Sequence, residues 1–408
     1  MRKIDLTNFQ VATSVTARDI NRRIVLNLIR RHQPVSRADL ARHSGLQRST
    51  VSVIAEQLIK ENWITEGASG HAPRGRRPTF LHLNKGRVGI IGIDLRPAQT
   101  QIAIANLDAQ FLAQESLPTA QNPDEFIAEL CARLNNLISA HPEISYEGIG
   151  ISLPGRIDSQ SQKLVFAPNL GWRDVDLKTP LESATGLQVE LENAANACAL
   201  AEVWFGRYSE ATSNLLAVTV SEGIGCGLVL NGQIVRGSSG VAGEFGHVTI
   251  VENGLACRCG NLGCWEMYAS NSAAIRHYAQ TASRPRSGKV SHSLNNGLSE
   301  SAPTFDDVVR LAEQGAPKAV EALERMAHYL GNGLAMLITG LAPDIVVIVG
   351  EVTRDWQRFG PIINDVINRH SFTSARTRII PTDSASQPRL RGTIALVLQK
   401  HFGAPLVA

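Results

Sequence analysis

No apolar run in this 408-residue chain approaches the roughly 18 residues that a membrane-spanning helix needs. A membrane-embedded protein is therefore not expected. The first residues, Met1-Arg2-Lys3-Ile4-Asp5, lack the apolar core of a secretory signal, so the chain is expected to stay in the cytoplasm. Cysteine is scarce, with six residues in all, and a chain this long builds its core without staples. No repeat of fixed period is present, although a duplicated fold with diverged halves would leave none. Net charge is nearly absent too, at +3. What remains is an ordinary globular composition, 43% hydrophobic and 19% charged, at a length that predicts two or three domains.

The small net charge conceals an asymmetry. Residues 1–90 hold 16 Lys or Arg against 6 Asp or Glu, giving +10, whereas the rest of the chain, with 24 against 31, carries −7. A basic head on an acidic body predicts that the head meets a polyanion, against the plainer reading of a solvated, arginine-rich surface. Residues 1–17 show no period and are expected to form an arm. From Ala17 to His32, Ile20, Ile24 and Leu28, with neighbours Val25 and Ile29, recur at helical spacing until Pro34 stops the run. Ser36 is placed to cap a short helix through His43, with Asp39 completing a capping-box contact. Ser44-Gly45 makes a turn, and a third helix runs to about Asn62 with Leu46, Val51, Ile54 and Leu58 inward. Two short strands follow, Trp63–Glu66 and Phe80–Leu83, flanking the Gly/Pro/Arg stretch from Gly70 to Pro78.

Three helices and a two-stranded wing describe a winged helix-turn-helix whose third helix enters the major groove. Gln47, Arg48, Ser49, Thr50 and Ser52 lie on its outward side, where Gln and Arg pair with base edges and hydroxyls reach bases or phosphates. Ser36 and Arg37 stand at a helix N-terminus, which suits phosphate. Arg74, Arg76 and Arg77 stand on the wing, where arginines suit a narrow minor groove. The alternative is a protein-interaction bundle with soluble wing arginines.

Beyond Arg87 the pattern becomes mixed α/β. Strands are predicted over Val88–Asp94, Ile102–Leu107, Phe111–Glu115, Gly148–Leu153, Leu215–Val220 and Ile345–Val349, with a helix over Pro123–His141. Residues 281–303, rich in Ser, Asn and Gly, read as a tether. Cys131, Cys198 and Cys226 sit in apolar or glycine-rich contexts and read as packing residues. Cys257, Cys259 and Cys264 fall within eight positions. In a cytosolic chain such a cluster favours metal over disulfide, with three free or redox-active thiols as the alternative. His247, in Gly243-Glu244-Phe245-Gly246-His247, is the nearest fourth ligand, and a Cys₃His set of this kind makes a closed, structural zinc site.

Glu244-x-x-His247, the Cys257/Cys259/Cys264 run with Gly260 and Gly263, and Glu266 just beyond it resemble the ROK family of repressors and sugar kinases. The head that ends in Gly75-Arg76-Arg77-Pro78 is similar to that family's regulator branch. The resemblance spans essentially the whole chain. It implies an actin-like, ribonuclease-H-like fold of two α/β lobes, usually as a homodimer or homotetramer. It implies a sugar site at Gly155, Arg156, Asn169, Asn193, Glu244, His247 and Glu266, where planar polar groups take paired hydrogen bonds from hydroxyls. Taken singly, each of these residues could equally serve as a surface or capping group.

The departures from the family pattern carry as much information. The family's kinases place a general base, Asp, where this chain has Ala194 after Asn193, and such a loss costs roughly 10²–10⁴-fold in rate. Their phosphate loop, Asp-x-Gly-Gly-Thr, reads here Asp94-Leu95-Arg96-Pro97, and Pro97 has no N–H to offer phosphate. Glu222 stands where the second phosphate loop has Thr, and Gly350-Glu351 replaces a nucleotide-side Gly-Gly. The expected protein is thus an α/β chain with a DNA-binding domain at 1–85 and a first lobe at 86–194, against which a C-terminal helix of about 388–408 packs back. A second lobe at 195–387 holds zinc and the oligomer interface. Its expected partners are double-stranded operator DNA, which would place it at the nucleoid, and a sugar effector. It is expected to regulate transcription without kinase activity. An active sugar kinase with an added head, or a scaffold with a vestigial cleft, are the competing readings. Neither the sugar nor the sign of regulation follows from the residues.

Overall fold

The computed structural model describes residues 13–69, 79–158, 161–206, 213–282, 303–369 and 377–403. The head begins with helix α1, Ser14–His32, then β1, Val35–Ser36, α2, Arg37–Ser44, α3, Arg48–Lys60, β2, Ile64–Ser69, and β3, Thr79–Leu83. The expected arm is shorter than its lack of period implies. Thr13 and Thr16 form a reciprocal capping box that starts α1 three residues before Ala17. The second capping box, Ser36 with Asp39, forms as the sequence predicts. The inward face of α1 is Val25, Leu26 and Ile29, whereas Ile24 is 39% exposed. Together with Leu40, Val51, Ile54, Leu58, Trp63, Leu81 and Leu83, these residues make the head's core. β3 pairs antiparallel with both β1 and β2, and the stretch 70–78 between β2 and β3 lies outside the described residues.

The body continues with β4, Val88–Asp94, β5, Gln99–Ala105, β6, Phe111–Pro118, α4, Pro123–Ala140, and β7, Ser145–Leu153. Next come β8, Arg156–Ile157, β9, Leu164–Ala167, β10, Trp172–Val175, α5, Lys178–Thr185, β11, Val189–Asn193, and α6, Ala194–Phe205. Then follow β12, Leu215–Val220, β13, Ile224–Leu230, β14, Gln233–Ile234, α7, Glu266–Ala269, α8, Asn271–Ala282, α9, Phe305–Glu313, and α10, Pro317–Leu341. The chain closes with β15, Ile345–Gly350, α11, Trp356–Asn368, β16, Arg378–Pro381, and α12, Pro388–Phe402. The tether expected at 281–303 lies outside the described residues except at its edges.

Two compact units result. One comprises 1–153, 176–192 and 393–408; the other comprises 154–175 and 193–392. The first holds the head and a five-stranded sheet ordered β11-β7-β4-β5-β6. Its central β4 is buried along its whole length, which is why Val88–Asp94 reads as a continuous apolar run. The C-terminal part of α12 packs here. Gly150 on β7 faces the backbone of Thr393, where a Cβ would come within 2.1 Å of a carbonyl oxygen. Asn27 and Arg23 of α1 donate to the carbonyls of Phe402 and Gly403, both at 2.8 Å, so head side chains satisfy the orphan carbonyls at the end of α12.

The second unit holds the sheet β14-β13-β12-β15-β16 and the small sheet β10-β9-β8. β12 and β15 run parallel, and the long helix α10 buries Leu323, Met326, Leu330 and Leu334 in the core beside them. No helix among the described residues is long and apolar enough to cross a membrane.

Candidate metal centre, polar site and nucleic-acid interface

A fully buried Trp265 anchors the segment that carries the cysteines. Its indole Nε1 donates to the Tyr329 carbonyl of α10 at 2.9 Å, and its ring lies against Gly333. Cys264 and Glu266 flank it in the chain, so the packing of one aromatic fixes both. Gly263 turns the backbone at φ +74, where a Cβ would lie 1.8 Å from the Val251 carbonyl oxygen, so only glycine fits. His247 ends a short 3-10 turn begun by Glu244. One ligand atom each from His247, Cys257, Cys259 and Cys264 lies within 4.8 Å of the others. His247 Nδ1 is 3.6 Å from Cys257 Sγ, and Cys259 and Cys264 sulfurs are 3.6 Å apart. Burial raises the Cys264 thiol to about 11 and pushes the Cys257 thiol up as well. Bare thiols here hold their protons, and a bound cation would displace them. Three sulfurs and one imidazole nitrogen converging on one point fit a metal ion.

The polar residues attach to the same centre. Glu266 Oε1 lies 3.0 Å from Cys257 Sγ and 3.5 Å from His247 Nδ1. The other ring nitrogen, Nε2, lies 3.7 Å from Glu244 Oε2. Burial raises the Glu244 carboxyl, while His247 and Arg156 draw it down. Arg156 is exposed at the start of β8. Gly155, before it, has φ +99, and a Cβ there would meet the Phe166 carbonyl oxygen at 2.3 Å. Asn193 donates to the Gly155 carbonyl at 3.1 Å and accepts from the Ala195 amide at 2.7 Å, so it caps α6 and clamps the Gly155 turn. Asn169 is exposed in the turn between β9 and β10, where Arg258 reaches its Oδ1 at 3.5 Å. All seven expected ligand residues fall in one unit, with Glu244, His247 and Glu266 in mutual contact, Asn193 on Gly155, and Asn169 on Arg258. Arg258 and Trp265 join them without having been foreseen. Arg258 is foreshadowed only by its place between two cysteines, and Trp265 only by its place between Cys264 and Glu266.

The head places its expected contacts unevenly. Gln47, Arg48 and Ser49 are exposed at the start of α3, Thr50 is half-buried, and Ser52 donates back to the Arg48 carbonyl at 2.9 Å. Ser36 is 5% exposed and its hydroxyl donates to Asp39 at 2.7 Å, so its side chain is a cap. The Arg37 guanidinium pairs with Glu66 at 2.7 Å. Arg74, Arg76 and Arg77 lie outside the described residues.

Comparison with known proteins gives this arrangement its family. The ROK family profile matches residues 90–400, and that of the MarR family matches residues 23–67, the head's helices. The chain belongs to the ROK family. A putative xylose repressor of Caldicellulosiruptor sp. is 32% identical over 394 residues, 95% of this chain and 98% of that protein. A crystal structure of a ROK family transcriptional regulator, homologous to the E. coli MLC protein, superposes with TM-score 0.80 at 26% identity, covering 95% of this chain and 98% of that one. A ROK glucokinase from Streptomyces griseus, solved with glucose and AMPPNP, matches at TM-score 0.65 and 26% identity over 76% of this chain and 99% of its own. The body thus has the ROK sugar-kinase fold behind a MarR-type helix-turn-helix, as the sequence predicts.

The residues singled out in the sequence at the expected base and phosphate positions all lie among the described residues. Ala194 is the first residue of α6, directly after the Asn193 cap. Asp94, fully buried at the end of β4, accepts from Arg96 Nε at 2.6 Å, and Arg96, Pro97 and Ala98 are exposed. Glu222 is exposed in the β12–β13 turn, and the Glu351 carboxylate accepts from Asn271 at 2.8 Å.

Proposed function

We propose that this chain is a sugar-responsive, DNA-binding repressor that has kept the sugar-binding side chains of a ROK kinase and lost its phosphoryl transfer. One observation carries the reading. Glu244, His247 and Glu266 are linked at the cluster of cysteines and Asn193 clamps the Gly155 turn, yet the residue after Asn193 is Ala194, which accepts no proton. The relatives named repressors support the regulatory half of the reading, and the MarR-type match supports the DNA-binding half. Pro97, which has no N–H to offer, and the carboxylates of Glu222 and Glu351 disfavour nucleotide phosphates. Residues 1–85 would bind operator DNA through Gln47, Arg48, Ser49, Thr50 and Ser52, with Arg37 and the α2 N-terminus on phosphate and Arg74, Arg76 and Arg77 in the minor groove. Residues 86–194, with about 388–408, and residues 195–387 would form the two lobes, except that 154–175 and 193–194 group with the second compact unit.

Zinc is the proposed metal, held by His247, Cys257, Cys259 and Cys264. It would act as a closed structural centre that fixes the imidazole for ligand binding. Gly155, Arg156, Asn169, Asn193, Glu244, His247 and Glu266 would take the sugar's hydroxyls. A homodimer or homotetramer in the cytoplasm would present two heads to a roughly palindromic site. Equilibrium titration of a promoter duplex, with and without a panel of sugars including D-xylose, tests the reading. It is upheld if one sugar shifts DNA affinity, and it fails if every sugar that binds the protein leaves that affinity unchanged. Robust ADP release on a hexose panel would instead establish a kinase.

A further inference from the structure

The recognition helix presents one residue that its polar neighbours do not explain. Val51, Ile54, Ala55 and Leu58 of α3 are buried in the head. On the opposite side stand Arg48, Ser49, Ser52, Val53 and Glu56. Val53 is 54% exposed. A β-branched residue gains nothing for a helix surface by propensity, and its methyls in water are unfavourable. Single exposed valines are common elsewhere on proteins. This one lies one helical turn beyond Ser49 and beside Ser52, within the face proposed to enter the major groove. The head carries +10 over residues 1–90, so the face is drawn to a duplex. The next exposed side chain along it, Glu56, would be repelled by phosphates, which confines close contact to the half of α3 ending at Val53.

Resting on the DNA-binding reading above, we infer that Val53 determines operator specificity by packing its methyls on the C5-methyl of a thymine. That methyl is the apolar group on the major-groove edge of a base pair, and aliphatic side chains meet it there. Cytosine and uracil lack it. Serine and arginine neighbours position the helix through hydrogen bonds, whereas Val53 rejects a base by leaving its own methyls against polar atoms.

The test uses the full-length chain and duplexes enriched from a randomised DNA library. Each thymine in the enriched half-site is replaced in turn by deoxyuridine, which removes only the methyl. Affinities are measured for the wild type and for Val53→Ala, with helix content checked by circular dichroism. One position should weaken the wild type about fourfold, the equivalent of one buried methyl, and leave Val53→Ala unchanged. At every other thymine the two proteins should respond alike, as a double-mutant cycle requires of uncoupled sites. If no thymine shows a cost that depends on residue 53, the inference is overturned while DNA binding stands. If no duplex is enriched at all, the DNA-binding reading itself has failed, and the inference falls with it.

Discussion

At Gly333, one methyl group decides between two opposing effects. In an exposed helix, Gly→Ala gains about 1 kcal/mol of propensity. Here the new Cβ would lie 2.0 Å from the Trp265 ring, and overpacking of a well-filled core costs about 1–3 kcal/mol. The net effect of Gly333→Ala should be a lower melting temperature, and because Trp265 sits between Cys264 and Glu266, faster loss of bound metal to a chelator. A variant that melts higher and holds its metal unchanged would show that Trp265 does not anchor the centre. Cys259 offers the complementary case, being the exposed member of the set. Cys259→Ser should leave the apolar core intact while lowering the zinc content of the purified protein, as read by atomic absorption. Full zinc occupancy would remove Cys259 from the ligand set. On the proposed reading, Ala194→Asp alone should give no ADP release with hexoses, since that reading attributes the loss of phosphate binding also to Pro97, Glu222 and Glu351.

The tip of α12 is the place where an element, not a single residue, sets behaviour. The His401 ring lies tilted at 43° against Trp63, 4.4 Å between centroids, and its Nε2 lies 3.4 Å from Glu147. Burial holds the imidazole down to about 4, with Arg22, Lys400 and Arg23 adding to the effect and Glu61 opposing it. It is therefore neutral in the fold at neutral pH, and its contact with Glu147 is not an ion pair there. Unfolded, the same group would take a proton near 6.5. Between those values the unfolded chain binds more protons, so stability falls as pH drops from about 6.5 toward 4. Glu147, pushed up by burial, tilts the other way and damps the trend. Denaturant midpoints at pH 7 and pH 5 should thus differ more in the wild type than in His401→Gln; parallel profiles would refute the assignment.

This tip also marks what a sequence does not carry. The Ser36–Asp39 capping box was legible because its two members sit three residues apart. So was the run of buried apolar residues in β4, and so were the cysteines, for the same local reason. The contact of Asn27 with Phe402 spans 375 residues, and Trp265 meets Gly333 and Tyr329 across more than sixty. Neither leaves a trace in spacing or composition. Ile24 shows the opposite failure: it fits a 3.6 period as well as Ile29 does, yet neighbours in three dimensions chose Val25, Leu26 and Ile29 to face inward.

For the whole molecule, the proposed function makes a demand that no single residue makes. The head lies in one compact unit, and the polar set with its cluster of cysteines lies in the other. A sugar held by the polar set can act on the head only if it binds two states of the chain with different affinity, since equal affinity shifts nothing. Couplings of this kind are about 1–3 kcal/mol, or about 5–150-fold in affinity. Linkage then requires reciprocity: a sugar that weakens operator binding by some factor must itself bind more weakly, by the same factor, to the operator-bound protein. Calorimetric titration of the sugar into the free protein and into its complex with a saturating operator duplex measures the second factor, and fluorescence anisotropy of the labelled duplex measures the first. Equal factors that do not change with protein concentration show a single coupling free energy carried without a change in subunit association. If the sugar changes operator affinity while its own affinity is the same with and without DNA, the response runs through something else, such as a change in subunit association, and coupling within one chain is ruled out.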